Sequence, residues 1–487
     1  MTFNFMSPGY YLWFLPVTLI LTLVLSRGQR IRQVGILSAV SYLFFILASG
    51  WHVLLLLTST IVDWTSGNRI HRSEDKALRK RWLIASLSIN LGLLAVFKYL
   101  DLLIETLGWW SLQVGSSLPF DAPGLLLPVG ISFYTFQTMS YTIDIYRGDG
   151  KPAETFLDFA CYAAFFPQLV AGPIVRFGHF RDQIKTPVSL TLARFRLGMT
   201  LIIYGLVKKI VFADNFAYHV DAIFSEGAPL DNVLLVYWGA LLFGLQIYCD
   251  FSAYTDIAIG SAHLIGIQLP ENFRGPYGAT SPQEFWRRWH VSLSTWLRDY
   301  LYISMGGSRR GTRRLYIALM VTMILGGLWH GASWNFALWG LLHGLLLVAH
   351  RQISGREWAK KFAEKMPRVH LLSALLVTQW FVFMTWLVFR VEETGMMLRS
   401  LKSYLFIDVR FDPVEAFDAL PGLHWLVIVL VLGFCLIHAL STINGGRLKY
   451  AVARQPPLRW GILMGLGLVM MWLLKPQEAV EFIYFRF

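Results

Sequence analysis

Residues 315–350, LYIALMVTMILGGLWHGASWNFALWGLLHGLLLVAH, decide how the rest of the chain is read. At about 20 residues per membrane crossing, the run is barely two crossings long. It must therefore turn near its middle, at Gly326-Gly327-Leu328-Trp329-His330-Gly331-Ala332-Ser333. Glycines permit a helix break, and irregular backbone at membrane depth persists only where protein or a water-filled cavity surrounds it. His330 then lies at a broken helix facing a cavity rather than lipid. With His343 and His350 it is one of three side chains in the run that titrate near neutral pH. Ionisable groups inside a membrane mark functional sites by default, and a neutral imidazole can take the proton of a hydroxyl attacking an acyl group. A histidine that merely bonds a carbonyl freed by the kink remains open. His343 falls about 220° from His330 around an unbroken helix, so the two share no face and make no metal pair. His350 beside Arg351 reads as interfacial.

The whole chain is too apolar for a soluble globule: of 487 residues, 55% are hydrophobic and 15% charged. Its net charge of +13 clusters in alternate loops, which orients a membrane protein rather than marking a nucleic-acid surface. The first apolar run, 10–26, has its basic residues after it, at Arg27, Arg30 and Arg32. A cleavable signal carries its charge in front, so this run reads as a retained span with the N-terminus outside. Runs 33–49 and 51–66 lead to a cytoplasmic basic loop at 69–81. Interval 99–146, which holds no Lys or Arg, reads as a crossing outward, an external loop and a crossing back. Run 156–175 is broken by Pro167 and Gly172-Pro173 and flanked by basic residues on both sides, as in a re-entrant hairpin. The polar stretch 214–231 reads as external, and the basic loops 274–314 and 351–368 as cytoplasmic. With runs 371–389, 423–441 and 460–474, the count reaches about eleven or twelve crossings. Cys161, Cys249 and Cys435 show no paired spacing and read as small core residues. The economical reading is one all-α polytopic membrane domain over 1–487, with N-terminal spans at 1–104, a core at 123–350 and C-terminal spans at 371–487.

Ser281-Pro282-Gln283-Glu284 is a helix-start signal, with a Ser cap, Pro at the first helical position and Glu for a capping box. The helix predicted over 281–302 is amphipathic and interfacial, sets aromatic side chains against Arg287, Arg288 and Arg298, and carries Trp289 and His290. These arginines, with Arg309 and Arg310 after Gly306-Gly307, are either ordinary positive-inside charge or a site for the phosphates of an acyl carrier. Tyr248, Ser252 and Asp256 make a polar stripe on one face of the run 236–262. That stripe either lines a tunnel or bonds a neighbouring helix. The run 128–137 reads mainly as packing. No serine triad, G-x-S-x-G or glycosidase-type carboxylate pair is visible, so the chain has no obvious nucleophile.

PVGISFYTFQTMSYTIDIYRG, FFPQLVAGPIVRF, DFSAYTDIAIG, ENFRGPY, EFWRRWHVSLSTWLRDYLYI, GGLWHGASWNFALWGLLHG and the terminal FIYFRF together resemble the membrane-bound O-acyltransferase (MBOAT) superfamily. Within it they are similar to the bacterial branch of alginate O-acetylation membrane proteins and, more distantly, to the D-alanyl transfer proteins of teichoic acids. The likeness runs from about residue 33 to the C-terminus; Ala253 stands where relatives often have glycine. The resemblance implies a helical fold with a central tunnel, a multi-pass protein of the bacterial inner membrane, and acetyl-CoA as cytoplasmic donor with no metal. It puts the family's essential histidine at His330 and its second polar position at His290, which would orient the donor or pair with His330. Trp329, Tyr248, Ser252, Asp256 and Asn335 would line the tunnel, and Arg287, Arg288, Trp289, Arg298, Arg309 and Arg310 would bind the donor. It also implies a periplasmic partner of the SGNH-hydrolase type that supplies the missing nucleophile, with an exopolysaccharide such as alginate as final acceptor. Two other classes fit the residues less well. A proton- or ion-coupled transporter would use Asp250, Asp256 and the histidines, and a scaffold would hold a periplasmic enzyme through 390–421 and the FIYFRF tail.

Overall fold

The computed structural model describes residues 3–118, 120–169, 172–187, 189–407, 409–420, 424–476 and 480–485. Arg486 and Phe487 of the FIYFRF motif and Val170-Ala171 of the re-entrant run lie outside them. The described residues are helical, without a strand; an isolated bridge joins Asn232 and Arg410. Among the described residues, seven stretches are long and apolar enough to cross a membrane: Arg30–Arg72, Lys76–Gln113, Val233–Ile265, Trp334–Ser354, Pro367–Arg390, Trp425–Ile443 and Pro457–Leu474. This is a multi-pass membrane protein. The difference from eleven or twelve runs has identifiable causes. The first stretch joins two expected runs through a turn at Gly50 (φ +60°). The run at 156–175 folds as the short buried helices Phe156–Ala164 and Phe166–Leu169. The N-terminal run is the shorter apolar helix Tyr10–Leu25.

The chain divides into two compact units, residues 1–202 with 257–270 and residues 203–256 with 271–487. In the first, the part of the interval 99–146 expected to cross outward is the helix Leu100–Gln113, none of whose residues is buried. The helices Val53–Arg72, Lys76–Leu94 and Ile131–Arg147 meet around Asp63. This buried carboxylate accepts from Ser86 Oγ at 2.5 Å and from Asn90 Nδ2 at 2.9 Å to each oxygen. In lipid, where helices gain no hydrophobic drive to associate, such polar contacts and close packing join them.

The second unit holds every candidate residue of the sequence reading. Its centre is the pair Thr312–His330 and Trp334–Ser354, which turns at 331–333 with Ser333 capping the second helix through the Asn335 amide at 3.2 Å. The expected role of Gly326 and Gly327 in the break is corrected here, because both lie inside the first helix. The function of Gly327 is close approach: a methyl group on it would come 2.1 Å from Phe336 O, and one on Gly340 2.2 Å from Met323 O, whereas one on Gly326 would meet only the Leu297 side chain, at 3.0 Å. Two backbones in such contact leave room for no side chain there.

Candidate active site

The predicted helix over 281–302 is interrupted at its most interesting residue. Pro282–Arg288 ends at Trp289, and Val291–Trp296 begins after His290, whose φ of 42° and ψ of 54° are left-handed. His290 therefore sits at a corner and not along a helix face. The neighbouring segment holds the corner: Arg274 N donates to Arg288 O, Val291 N to Asn272 O and Ser292 N to Asn272 Oδ1, each within 3.1 Å. Non-glycine residues in this conformation are uncommon, histidine being among those that tolerate it, and such strain concentrates at functional sites.

The corner brings His290 to within 6.4 Å of His330, ring centre to ring centre. His330 closes its helix and is 3% exposed. Its imidazole meets Trp329 and Trp339 edge-on at 5.1 Å and Phe389 at 5.5 Å. Its Nδ1 is hydrogen-bonded to the Tyr484 hydroxyl at 3.1 Å. Phe251 spans the site, 4.7 Å from His290 and 4.5 Å from Tyr484. The arrangement is two imidazoles and a phenol in a dry aromatic enclosure, suited to moving a proton between a nitrogen and a hydroxyl.

Trp329 packs beside both histidines, while Trp289, next to His290 in sequence, stacks on Phe285 and meets Trp386 at a tilt of 50°. Tyr248 contacts Trp289, Tyr277 and His438 in an aromatic cluster. Ser252 and Asp256 belong to an ion network: Lys208 Nζ reaches Ser252 Oγ at 2.7 Å and Asp256 Oδ2 at 2.5 Å, and Lys449 Nζ reaches Asp256 Oδ1 at 2.8 Å. Asn335 donates to the carbonyls of Val391 and Glu392, holding the end of Pro367–Arg390. Of the arginines, Arg288 pairs with Glu284 at 2.5 Å and Arg298 with Asp299 at 2.7 Å, while Arg287, Arg309 and Arg310 are exposed. His343, on the second helix of the pair, lies with its Nε2 3.0 Å from Thr385 Oγ1. Among the described residues no group of three or more His, Cys, Asp or Glu is placed to hold a metal. An open apolar groove of about 900 Å³ between Val233–Ile265 and Pro367–Arg390 is lined by Tyr237, Trp238, Trp380 and Tyr404 and by none of these candidates.

The pattern described as MBOAT, membrane-bound O-acyltransferase family, matches residues 154–391, a span that includes both histidines. The chain is 39% identical over 403 residues to the probable alginate O-acetylase AlgI of Pseudomonas aeruginosa, covering 82% of this chain and 74% of that protein. It belongs to the membrane-bound O-acyltransferase family. It is also 33% identical over 429 residues to the peptidoglycan O-acetyltransferase of Helicobacter pylori, covering 82% and 79% of the two chains. To the teichoic acid D-alanyltransferase of Bacillus subtilis it is 28% identical over 276 residues, covering 54% and 68%. The protein is thus an O-acyltransferase. Sequence reasoning missed three parts of this membrane enzyme's core: Tyr484, the buried Lys208-Lys209 pair and Lys449. The signal for Tyr484 was its place in a dense terminal aromatic motif. For Lys208 and Lys209 it was their place at the edge of the interval 210–273, which holds no Lys or Arg, on the π-wound turn Lys208–Ala213; Lys449 carried no such signal.

Proposed function

We propose that the chain transfers an acetyl group from cytoplasmic acetyl-CoA across the bacterial inner membrane to hydroxyls of an exported polysaccharide of the alginate type, with His330 as general base. The observation that carries the proposal is the 3.1 Å contact between His330 Nδ1 and the Tyr484 hydroxyl, beside His290 in a buried enclosure. With Nδ1 protonated and donating to Tyr484, His330 presents a basic Nε2 to an acceptor hydroxyl. The imidazole takes the hydroxyl proton as the oxygen attacks the thioester carbon. The carbon–sulfur bond then breaks, and the thiolate leaves with the proton returned by the imidazolium. A partner protein with a serine nucleophile supplies the acceptor on the outer face and hands the acetyl group to sugar. The exposed Arg287, Arg309 and Arg310 suit the phosphates of the donor, since guanidinium pairs phosphate in a fixed fork. His330 is enclosed, so donor and acceptor reach it when one wall of the enclosure moves.

The same contact supports a second reading. With the proton on Nε2, Tyr484 donates to Nδ1, as a nucleophile does to its base, and the phenol oxygen itself receives the acetyl group before passing it outward. Purified protein in liposomes with labelled acetyl-CoA separates these readings from each other and from transport. His330→Ala lowers label transfer by 10² to 10⁴-fold while helix content stays unchanged. Transfer within about threefold of the parent overturns the role of His330, and ion flux without donor points to a transporter. Tyr484→Phe leaves reduced transfer if the tyrosine orients the ring. It abolishes transfer, along with any acetylated terminal peptide seen by mass spectrometry, if the tyrosine carries the group.

A further inference from the structure

Tyr484 does not hold its position by itself. Its backbone neighbours are fixed by charged side chains that the mechanism above does not use. Asp250, on the Val233–Ile265 helix, accepts the Ile483 amide at Oδ2 over 2.8 Å. Lys209, on the π-wound turn Lys208–Ala213, donates to the Val480 carbonyl over 2.8 Å. The two are joined to each other at 3.0 Å, and Lys209 pairs further with Asp214 at 2.7 Å. All three side chains are 5% exposed or less. One cation facing two carboxylates leaves the group one positive charge short. The tail amide supplies a donor toward that excess negative charge, so the tail completes the cluster as the cluster grips the tail. Between the two grips Phe482 stacks on Tyr254 at 3.7 Å and 21°, and Phe251, next to Asp250 in sequence, touches Tyr484.

We infer that Asp250 and Lys209 are positioning residues: they clamp the backbone of the C-terminal tail and thereby set the Tyr484 hydroxyl against His330. The inference rests on the site proposed above and adds the device that assembles it. Because the grips are on main-chain atoms at 480 and 483, they constrain where the tail lies and leave its side chains free to meet the site. A misplacement on the order of 1 Å at a reacting group can cost about 10²-fold in rate, so loosening the clamp acts on turnover more than on donor binding.

The test combines hydrogen–deuterium exchange on the full-length protein in detergent with steady-state acetyl transfer. In Asp250→Ala, amide exchange in the C-terminal peptide rises at least tenfold while other peptides exchange as in the parent. There kcat falls about 10- to 100-fold with the KM for acetyl-CoA within twofold. Asp250→Asn keeps an acceptor for the Ile483 amide without the charge that holds Lys209, and falls between parent and alanine variant. It carries the test if the alanine variant does not fold. An unchanged tail in both variants overturns the clamp. A freed tail with parental kcat overturns its positioning role. Parental turnover in Tyr484→Phe instead defeats the reading of the site, while the exchange result still reports on the clamp.

Discussion

Asp63 and Asp256 are both carboxylates on membrane helices, 0% and 4% exposed, and each unit of the chain satisfies its own in a different way. Around Asp63 the donors are neutral: the Ser86 hydroxyl and the Asn90 amide, with Ser59 and Thr142 at 3.4 Å. Around Asp256 they are two ammonium groups, Lys208 and Lys449, the latter also 3.5 Å from Glu271. The neutral cluster joins three helices and needs no matching charge. The charged cluster is locked to stoichiometry, because removing one member strands another in the interior. The lesson is that polar residues on membrane helices of one protein can be glue in one place and a charge-balanced scaffold for a site in another.

The contrast breaks most visibly under near-isosteric substitution. Asp256→Asn leaves two buried lysines with one carboxylate, Glu271, between them, and it should cost about 3–5 kcal/mol, enough to unfold a marginally stable domain. Asp63→Asn keeps shape and acceptor and should cost about 1 kcal/mol. Thermal unfolding of both variants in the same detergent checks the order. A larger loss at Asp63 would mean that its cluster, too, depends on charge.

These two aspartates also mark how far the sequence could be read. The apolar periodicity and loop charges exposed a multi-pass helical protein, and the resemblance placed His330 and His290 in one family motif set. The Asp256 stripe was visible as polar residues at i and i+4, but its partners were not. Lys208 and Lys449 lie 48 and 193 positions away, and no local pattern pairs residues across such distances. The corner at His290 was hidden for the opposite reason. Its local signals, a Ser cap, Pro and amphipathic spacing, all favour an unbroken helix, and the hydrogen bonds that Asn272 accepts and Arg274 N donates override them. Gly326 and Gly327 pointed to the chain reversal wrongly, since both lie inside the helix, where contact with the second helix rather than reversal requires Gly327.

The corner yields the next prediction. If His290 is there for its backbone conformation alone, His290→Gly should fold at least as well as the parent, because glycine takes a positive φ without strain. His290→Ala should lose about 1 kcal/mol relative to His290→Gly. If the imidazole serves the reaction, both variants lose transfer while only the alanine variant loses stability. Matching unfolding curves against acetyl transfer for the pair separates backbone from chemistry in a way that a single alanine variant cannot.

The smallest effect is expected where charge is exposed. Arg410 pairs with Asp231 and, at 3.1 Å, with Glu415, in a loop tied to residues 231–233 by backbone hydrogen bonds from Val233 N to Arg410 O and from Arg410 N to Asp231 O. Arg410 holds the Asp231 carboxyl below its ordinary range, chiefly by direct hydrogen bonding. A depressed carboxyl stabilises the fold above the unfolded value of about 3.9 and loses that contribution as pH falls through the folded value. Both side chains are about half exposed, so water and salt screen the pair. Arg410→Ala should therefore lower the melting temperature at pH 7 by less than any change above, and by less still in 1 M salt. The difference from the parent should shrink as pH falls through the depressed value of the folded carboxyl. A difference that persisted with both carboxyls protonated would assign the loop's stability to the backbone bonds at 231–233 rather than to the ion pair.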